Sequence, residues 1–443
     1  MLALGIFGLL YQFTIFPNYK PIHSDGVGYY YYLPATLIYG NAAVAQPIID
    51  GDVVLKDEQI VSYGITKYQA TDRYINKYPI GVAISLAPFF IVAHLLAPLL
   101  GQLQTGYSPV YHHLAMLGAI VYVVLGCLVL RKLLKRYVST KIASATILAV
   151  FLGTNLYYYV TFDAIFSHAL SFALIATFAY MVLKWHDNPS LKYTMILGVV
   201  YGAILTTRQA NALVILLWPL YGIDSLAAVT KQIKLFFRHK FLLIAFVIPV
   251  LVGFSPQMLY WYAVTGSPIL YSYGGEGFNF LRPRILQILL WPSRNMFYWF
   301  PINLLGFLGI WVLSTNNLFR FNNRNWQSKI AKARKWLLAV GLVLILQVYI
   351  ISSWWIWTFG GGVGHRALLD FLPLWSIFIA VAFSYLWQYQ KRRWLIVIIV
   401  ILSIIFSQLV ILEGLYKQPY PPLPEVLETR LKQEAFSLLD RLF

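Results

Sequence analysis

The sequence predicts an all-α polytopic membrane protein with about 11 transmembrane helices and interfacial helices in its first outer loop. Two observations carry that prediction. Of its 443 residues, 59% are hydrophobic and 11% charged, where soluble domains run at about 25% charged. Apolar runs long enough to cross a bilayer recur along the chain, and Lys and Arg gather in the connections between them.

Runs of spanning character lie near residues 1–17, 81–100, 109–130, 141–160, 166–184, 193–208, 211–226, 241–263, 299–314, 336–352, 367–388 and 394–413. The first, from Leu2 to Phe16, lacks a basic leader and a small-residue cleavage site, so it reads as a span and not a removable signal. Four connections are basic: Arg131/Lys132/Lys135/Arg136, Lys231/Lys234/Arg238/Lys240, Arg320 through Lys335, and Lys391/Arg392/Arg393. The positive-inside rule places all four in the cytoplasm, and strict alternation then holds from residue 109 onward. Pro88, His94 and Pro98 interrupt 81–100, so that segment reads as interfacial or re-entrant, inside a first outer loop at 18–108. A twelfth ordinary span is the alternative. The expected organisation is one embedded domain, 1–413, followed by an outer tail, 414–443, with a proline-rich spacer at Gln418 to Pro424.

The formal charge of +18 would suggest nucleic acid in a soluble protein. Here the cytoplasmic bias of Lys and Arg accounts for it, and no nucleic-acid partner is expected. The single cysteine, Cys127, excludes an intrachain disulfide and a Cys-rich metal site. The chain contains no glycine-rich phosphate loop and no dinucleotide fingerprint.

The polar residues that remain gather on the outer side. Asp25, in His23-Ser-Asp-Gly-Val-Gly followed by four tyrosines, is a carboxylate at the membrane boundary and suits a general base. The structural alternative is an N-cap, from Ser24 or Asp25, on a helix starting at Gly26. The tyrosines read as an interfacial aromatic belt. Arg73 and Lys77, with Asp72 and Asn76, are four apart and would share a helix face able to hold a phosphate, or else they are solvated loop charges. Asp163 and His168 supply two ligands for a divalent metal, or a hydrogen-bonded turn. Arg208, followed by Gln209 and Asn211, sits between two apolar runs and must face the bundle interior or an aqueous cavity. Its readings are an anion site or a buried ion pair. Arg282, Arg284 and Arg294 flank a short segment, 285–291, that reads as an interfacial helix near lipid phosphates. Gly360 to Gly364 precede His365 and Arg366 at a helix start, which permits close backbone approach and favours anions.

Taken together, Asp25, Asn76-Lys-Tyr-Pro-Ile-Gly, Gly153-Thr-Asn-Leu-Tyr-Tyr-Tyr with Ser167-His168, Ser255-Pro-Gln-Met and Phe359-Gly-Gly-Gly-Val-Gly-His-Arg resemble the GT-C superfamily of membrane glycosyltransferases. The likeness is nearest to the bacterial branch related to protein O-mannosyltransferases and aminoarabinose transferases. It implies a GT-C-type helical bundle in a bacterial inner membrane, with the active site facing the periplasm or exterior. It also implies a polyprenyl-phosphate sugar donor and a glycan, lipid or protein acceptor. The first-loop acid, Asp25, would be the general base, and Arg73, Lys77, Arg208, Arg294 and Arg366 would hold the donor phosphate. Asp163, His168, Gln209 and His365 would be accessory. Metal-dependent members carry further carboxylates, for which this sequence offers Asp163. A transporter or flippase of lipid-linked sugars is the rival reading. It would require repeated halves and broken midplane helices, and no internal repeat stands out in the sequence.

Overall fold

The computed structural model describes residues 20–43, 48–49, 53–54, 63–290, 296–315, 324–360, 362–388, 391 and 393–416. The expected first span, Arg294, and the tail from residue 417 with its proline-rich spacer lie outside the described residues.

In chain order the elements are α1 (Asp25–Leu37), β1 (Ile48–Ile49), β2 (Val53–Val54), β3 (Ile65–Tyr68), β4 (Arg73–Asn76), α2 (Gly81–Leu96), α3 (Pro109–Leu134), α4 (Thr140–Gly153), α5 (Leu156–Thr161), α6 (Ser167–Asp187) and α7 (Leu191–Thr207). A 3-10 stretch, Gln209–Leu216, runs into α8 (Leu217–Leu220). Then come α9 (Leu226–Arg238), α10 (Lys240–Thr265), α11 (Ile285–Leu290), α12 (Leu304–Ser314), α13 (Arg324–Ala333), α14 (Leu337–Ser353), α15 (Arg366–Leu369), α16 (Leu372–Leu386) and α17 (Arg393–Tyr416). Apart from 211–226, the apolar runs from residue 81 onward form α-helix over most of their length. Among the described residues five helices are long and apolar enough to cross a membrane: Pro109–Leu134, Ser167–Asp187, Lys240–Thr265, Trp326–Ser353 and Arg393–Leu412. The others are shorter, α2 among them with 16 residues. The run expected as a span at 211–226 is instead the 3-10 stretch plus one α turn. At about 2.0 and 1.5 Å per residue it reaches roughly 22 Å, less than the ~30 Å hydrocarbon core. Pro219 and the left-handed Gly222 (φ 82°) end it.

The described chain divides into two compact units. The first comprises Met1–Tyr137, Tyr158–Glu276 and Ala331–Leu344. In it α7 packs against α10, α6 and α2, and α3 packs against α6 and α2. Small residues set the closest of these contacts. A Cβ on Gly198 would sit 2.4 Å from the Phe246 carbonyl oxygen, and Gly202 meets Gly253 backbone to backbone. Close approach of this kind substitutes packing and backbone dipoles for the hydrophobic drive that lipid cannot supply. The second unit comprises Val138–Tyr157, Gly277–Ile330 and Ile345–Phe443. Its centre is α16, packed on α12 and α4, with α17 also on α4.

Two expectations for the outer loop are corrected. Tyr29 to Tyr32 are buried, not an interfacial belt. Tyr30 donates to the Gly106 carbonyl at 2.8 Å, Tyr31 to Ala42 at 3.1 Å and Tyr32 to Tyr78 at 2.6 Å. The loops supply carbonyls that need donors, so the phenols serve the protein interior. Arg73 and Lys77 do not share a helix face. Residues 65–76 form an antiparallel hairpin with Ile65 opposite Asn76 and Tyr68 opposite Arg73. Asp72, at φ 56°, takes the left-handed turn position that short polar side chains tolerate.

The segment Asn76 to Gly81 locks this hairpin into the first unit. The buried Asn76 amide donates to the Gly28 carbonyl at 2.6 Å and accepts from the Tyr78 N–H at 2.9 Å. The Ile80 N–H donates to Gln257 on α10 at 2.8 Å. Gly28 and Gly81 leave no room for side chains. A Cβ would lie 2.2 Å from the Tyr78 ring at Gly28, and 2.5 Å from the Thr206 carbonyl at Gly81. Gly28→Ala is expected to destabilise the protein by about 1–3 kcal/mol through overpacking, read as a lowered melting midpoint in detergent. Gly341→Ala, where a Cβ meets nothing within 4 Å, should leave the midpoint unchanged or raised.

Candidate active site

All of the best-connected candidate residues fall within the first unit. Asp25 opens α1. The expected N-cap arrangement is not formed by Ser24, whose hydroxyl makes no cap bond and whose φ of 48° is left-handed. The half-buried Asp25 carboxylate lies close enough to the Tyr78 phenol to act on it. Burial first, and then the Asp25 carboxylate, push the Tyr78 phenol up from its ordinary value near 10.0. The phenol therefore stays neutral and keeps its proton available to donate. The Tyr29 and Tyr78 rings lie 4.6 Å apart between centroids.

Tyr273 draws the remaining charges together. Burial raises its phenol, Tyr29, Asp25 and Glu276 add to the rise, and Arg208 opposes it. One phenol thus senses Asp25, Glu276 and Arg208 at once. Glu276 holds Lys77 in an ion pair at 2.9 Å, with each side chain 26% exposed. Lys77 also lies 5.3 Å from the Tyr78 ring centroid and 5.7 Å from that of Tyr273. The cluster contains two carboxylates, Asp25 and Glu276, and two cations, Lys77 and Arg208. Its formal charge is balanced.

Arg208 follows the last turn of α7, where a cation complements the helix dipole. The Gly81 contact with Thr206 carries that helix end to the Asn76–Gly81 segment. Gln209 is half-buried beside Arg208, whereas the Asn211 amide is buried and donates to Ser171 at 3.2 Å. Arg73 is exposed and its guanidinium donates to the Ala263 carbonyl near the end of α10. The hairpin therefore sends Arg73 and Lys77 to different partners.

Asp163 is buried and pairs with His23 Nε2 at 3.2 Å. Gly26 brings this turn against the start of α1, since a Cβ there would lie 3.2 Å from Ile165 Cβ. His168 is also buried, with its ring centroid 5.1 Å from that of Tyr159. Among the described residues no three His, Cys, Asp or Glu side chains form a group able to hold a metal ion. The His23–Asp163 pair offers two ligands, too few for a resident divalent ion, so no step below is routed through a metal.

In the second unit Gly364 (φ 67°) sits where a Cβ would be 2.6 Å from the Phe300 ring, so the glycine serves close packing as expected. His365 is buried with Nε2 2.9 Å from the Trp357 carbonyl oxygen. Arg366 is half-buried. The helix it begins has four residues, Arg366–Leu369, too short to present the dipole that the sequence suggested.

Sequence reasoning passed over Tyr78, Tyr273, Glu276 and His23. Glu276 carried a readable signal, since it is the single acid between Asp224 and Asp370.

No family model matches the chain, and no curated protein matches it. Among solved structures the chain is similar to the apo form of the oligosaccharyltransferase from Archaeoglobus fulgidus, with a TM-score of 0.43 and 14% identity over 94% of this chain. The chain spans about half the length of that protein, 54% of it. A score below 0.5 at that identity transfers neither fold detail nor activity.

A phenol whose folded pKa is raised stabilises the fold below its free value and loses that contribution as pH climbs past about 10. With tyrosine labelled at 13Cζ, the resonance that disappears in Tyr78→Phe should show no ionisation through about pH 10.5. Tyr78→Phe should also flatten the alkaline fall in melting midpoint. Half-ionisation near pH 10 would contradict the buried, carboxylate-paired phenol.

Proposed function

We propose that the protein is an inverting glycosyltransferase, moving a sugar from a polyprenyl-phosphate donor to an acceptor hydroxyl at the extracytoplasmic face of a membrane. The observation that supports this reading is that the Tyr273 phenol feels the charges of both Asp25 and Arg208. In this reading Asp25, at the start of one helix, is the base and Arg208, at the end of another, holds the anion. Helices able to cross a membrane in the same chain support a lipid-borne donor, and the resemblance of the motifs to GT-C enzymes agrees with it.

In this mechanism the acceptor oxygen attacks the anomeric carbon from the side opposite the lipid phosphate. The new C–O bond forms as the C–O bond to phosphate breaks, and configuration inverts. Asp25 takes the acceptor proton. Tyr78 holds the carboxylate by donating to it, which sets its direction before the acceptor arrives. The polyprenyl phosphate leaves with the bonding pair, and Arg208 offsets its charge. Lys77 assists by exchanging Glu276 for a phosphate oxygen. Asp163 and His23 brace the loop against α1. The acceptor is a glycan, a lipid or a protein, and the setting is a bacterial inner membrane with the site facing outward.

Full-length protein in nanodiscs, given radiolabelled polyprenyl-phosphate sugars and acceptors, should release polyprenyl phosphate. Asp25→Asn is expected to lower kcat by roughly 10²–10⁴-fold while donor binding persists. Arg208→Gln should weaken donor binding about 10–100-fold, as expected for loss of a charged hydrogen bond. Full transfer by Asp25→Asn would refute the base assignment. Transbilayer movement of intact donor by both wild type and Asp25→Asn, with no sugar transferred, would favour a flippase.

A further inference from the structure

We infer that α9, with the groove beside it, is a binding site for an anionic phospholipid of the leaflet at the N-terminal end of α10. The inference does not depend on the proposed transfer reaction. None of the thirteen residues of α9 is buried, yet the helix is strongly amphipathic. Val229, Gln232, Ile233, Phe236 and Phe237 recur at three- and four-residue spacing, the period of one helix face.

That face is held open, not packed shut. Phe236 anchors it, stacking on Trp185 at 5.2 Å and meeting Trp218 edge-on at 5.3 Å. Beyond the anchor the same face and Pro219, Leu220 and Ile223 line a groove of about 360 Å³. Leu226, Phe237 and Phe241 continue the apolar surface and are 87%, 72% and 74% exposed. A soluble surface would not leave such a patch uncovered.

Charge selects the occupant. Lys231, Lys234 and Arg238 fall on the opposite face, and Lys240 follows at the start of α10. All four are exposed, and among the described residues no ion pair holds them. From Ser225 through Gly275 the chain has no Asp or Glu. A helix with an apolar face, a basic face and an adjoining apolar helix of 26 residues lies in the interface plane. Its lysines and arginine snorkel to phosphodiester headgroups, while the groove takes an acyl chain. A neutral lipid would fill the groove but leave the cations unanswered.

The test uses full-length protein in neutral detergent, titrated with fluorescently labelled phosphatidylglycerol and, separately, phosphatidylcholine. Phosphatidylglycerol should bind at least about tenfold more tightly, and Lys231→Gln/Lys234→Gln/Arg238→Gln should abolish that preference. Lys231→Arg/Lys234→Arg should keep it. On the wild type, sodium chloride near 0.5 M should weaken phosphatidylglycerol binding and spare phosphatidylcholine, a readout that needs no folded variant. Equal affinity for the two lipids, or an undiminished preference in the triple variant, would overturn the inference.

Discussion

The buried amide of Asn76 is the constraint on which the rest of the site depends. It binds the Gly28 carbonyl on α1 and orders the next two residues through the Tyr78 N–H. Tyr78 then brings its phenol within the influence of Asp25, and Ile80 and Gly81 seat the segment against α10 and α7. A buried amide left half-satisfied costs about 1–3 kcal/mol, so this arrangement has little tolerance for slippage. Through it the helix that begins with Asp25 and the helix that ends at Arg208 are held by one short stretch of chain.

The electrostatics follow from that packing. Asp25 and Glu276 are offset by Lys77 and Arg208 within a cluster half-removed from water. Balanced charges in a partly desolvated place interact more strongly than they would at an open surface. The phenols of Tyr78 and Tyr273 feel these charges and stay neutral. In the proposed reaction a cation serves the departing phosphate and a carboxylate takes the acceptor proton.

Much of this was legible in the sequence, and unevenly so. Apolar runs reported the helices from residue 81 onward because hydrophobic length is a one-dimensional property. Asp25 and Arg208 stood out because isolated charges beside apolar runs need a reason. Arg73 and Lys77 read as a shared helix face or as loop charges, and the hairpin at 65–76 was not expected, because a four-residue spacing fits helix and strand alike. The tyrosine run was misread as a belt because burial and interface select the same residue type. Tyr78, Tyr273 and Glu276 were passed over because their roles arise from partners distant along the chain, as Lys77 and Glu276 are. The basic connection at 231–240 was read for its charge alone, and its amphipathic helix emerged only with the fold.

The account stands on Asp25 and Arg208 serving one bound ligand. The most direct measurement is a cryo-electron microscopy map of the full-length protein in nanodiscs with polyprenyl phosphate. The account predicts phosphate density within hydrogen-bonding distance of the Arg208 guanidinium, with open space between it and the Asp25 carboxylate for a sugar. Phosphate held elsewhere, with Arg208 and Asp25 turned to protein partners alone, would contradict it.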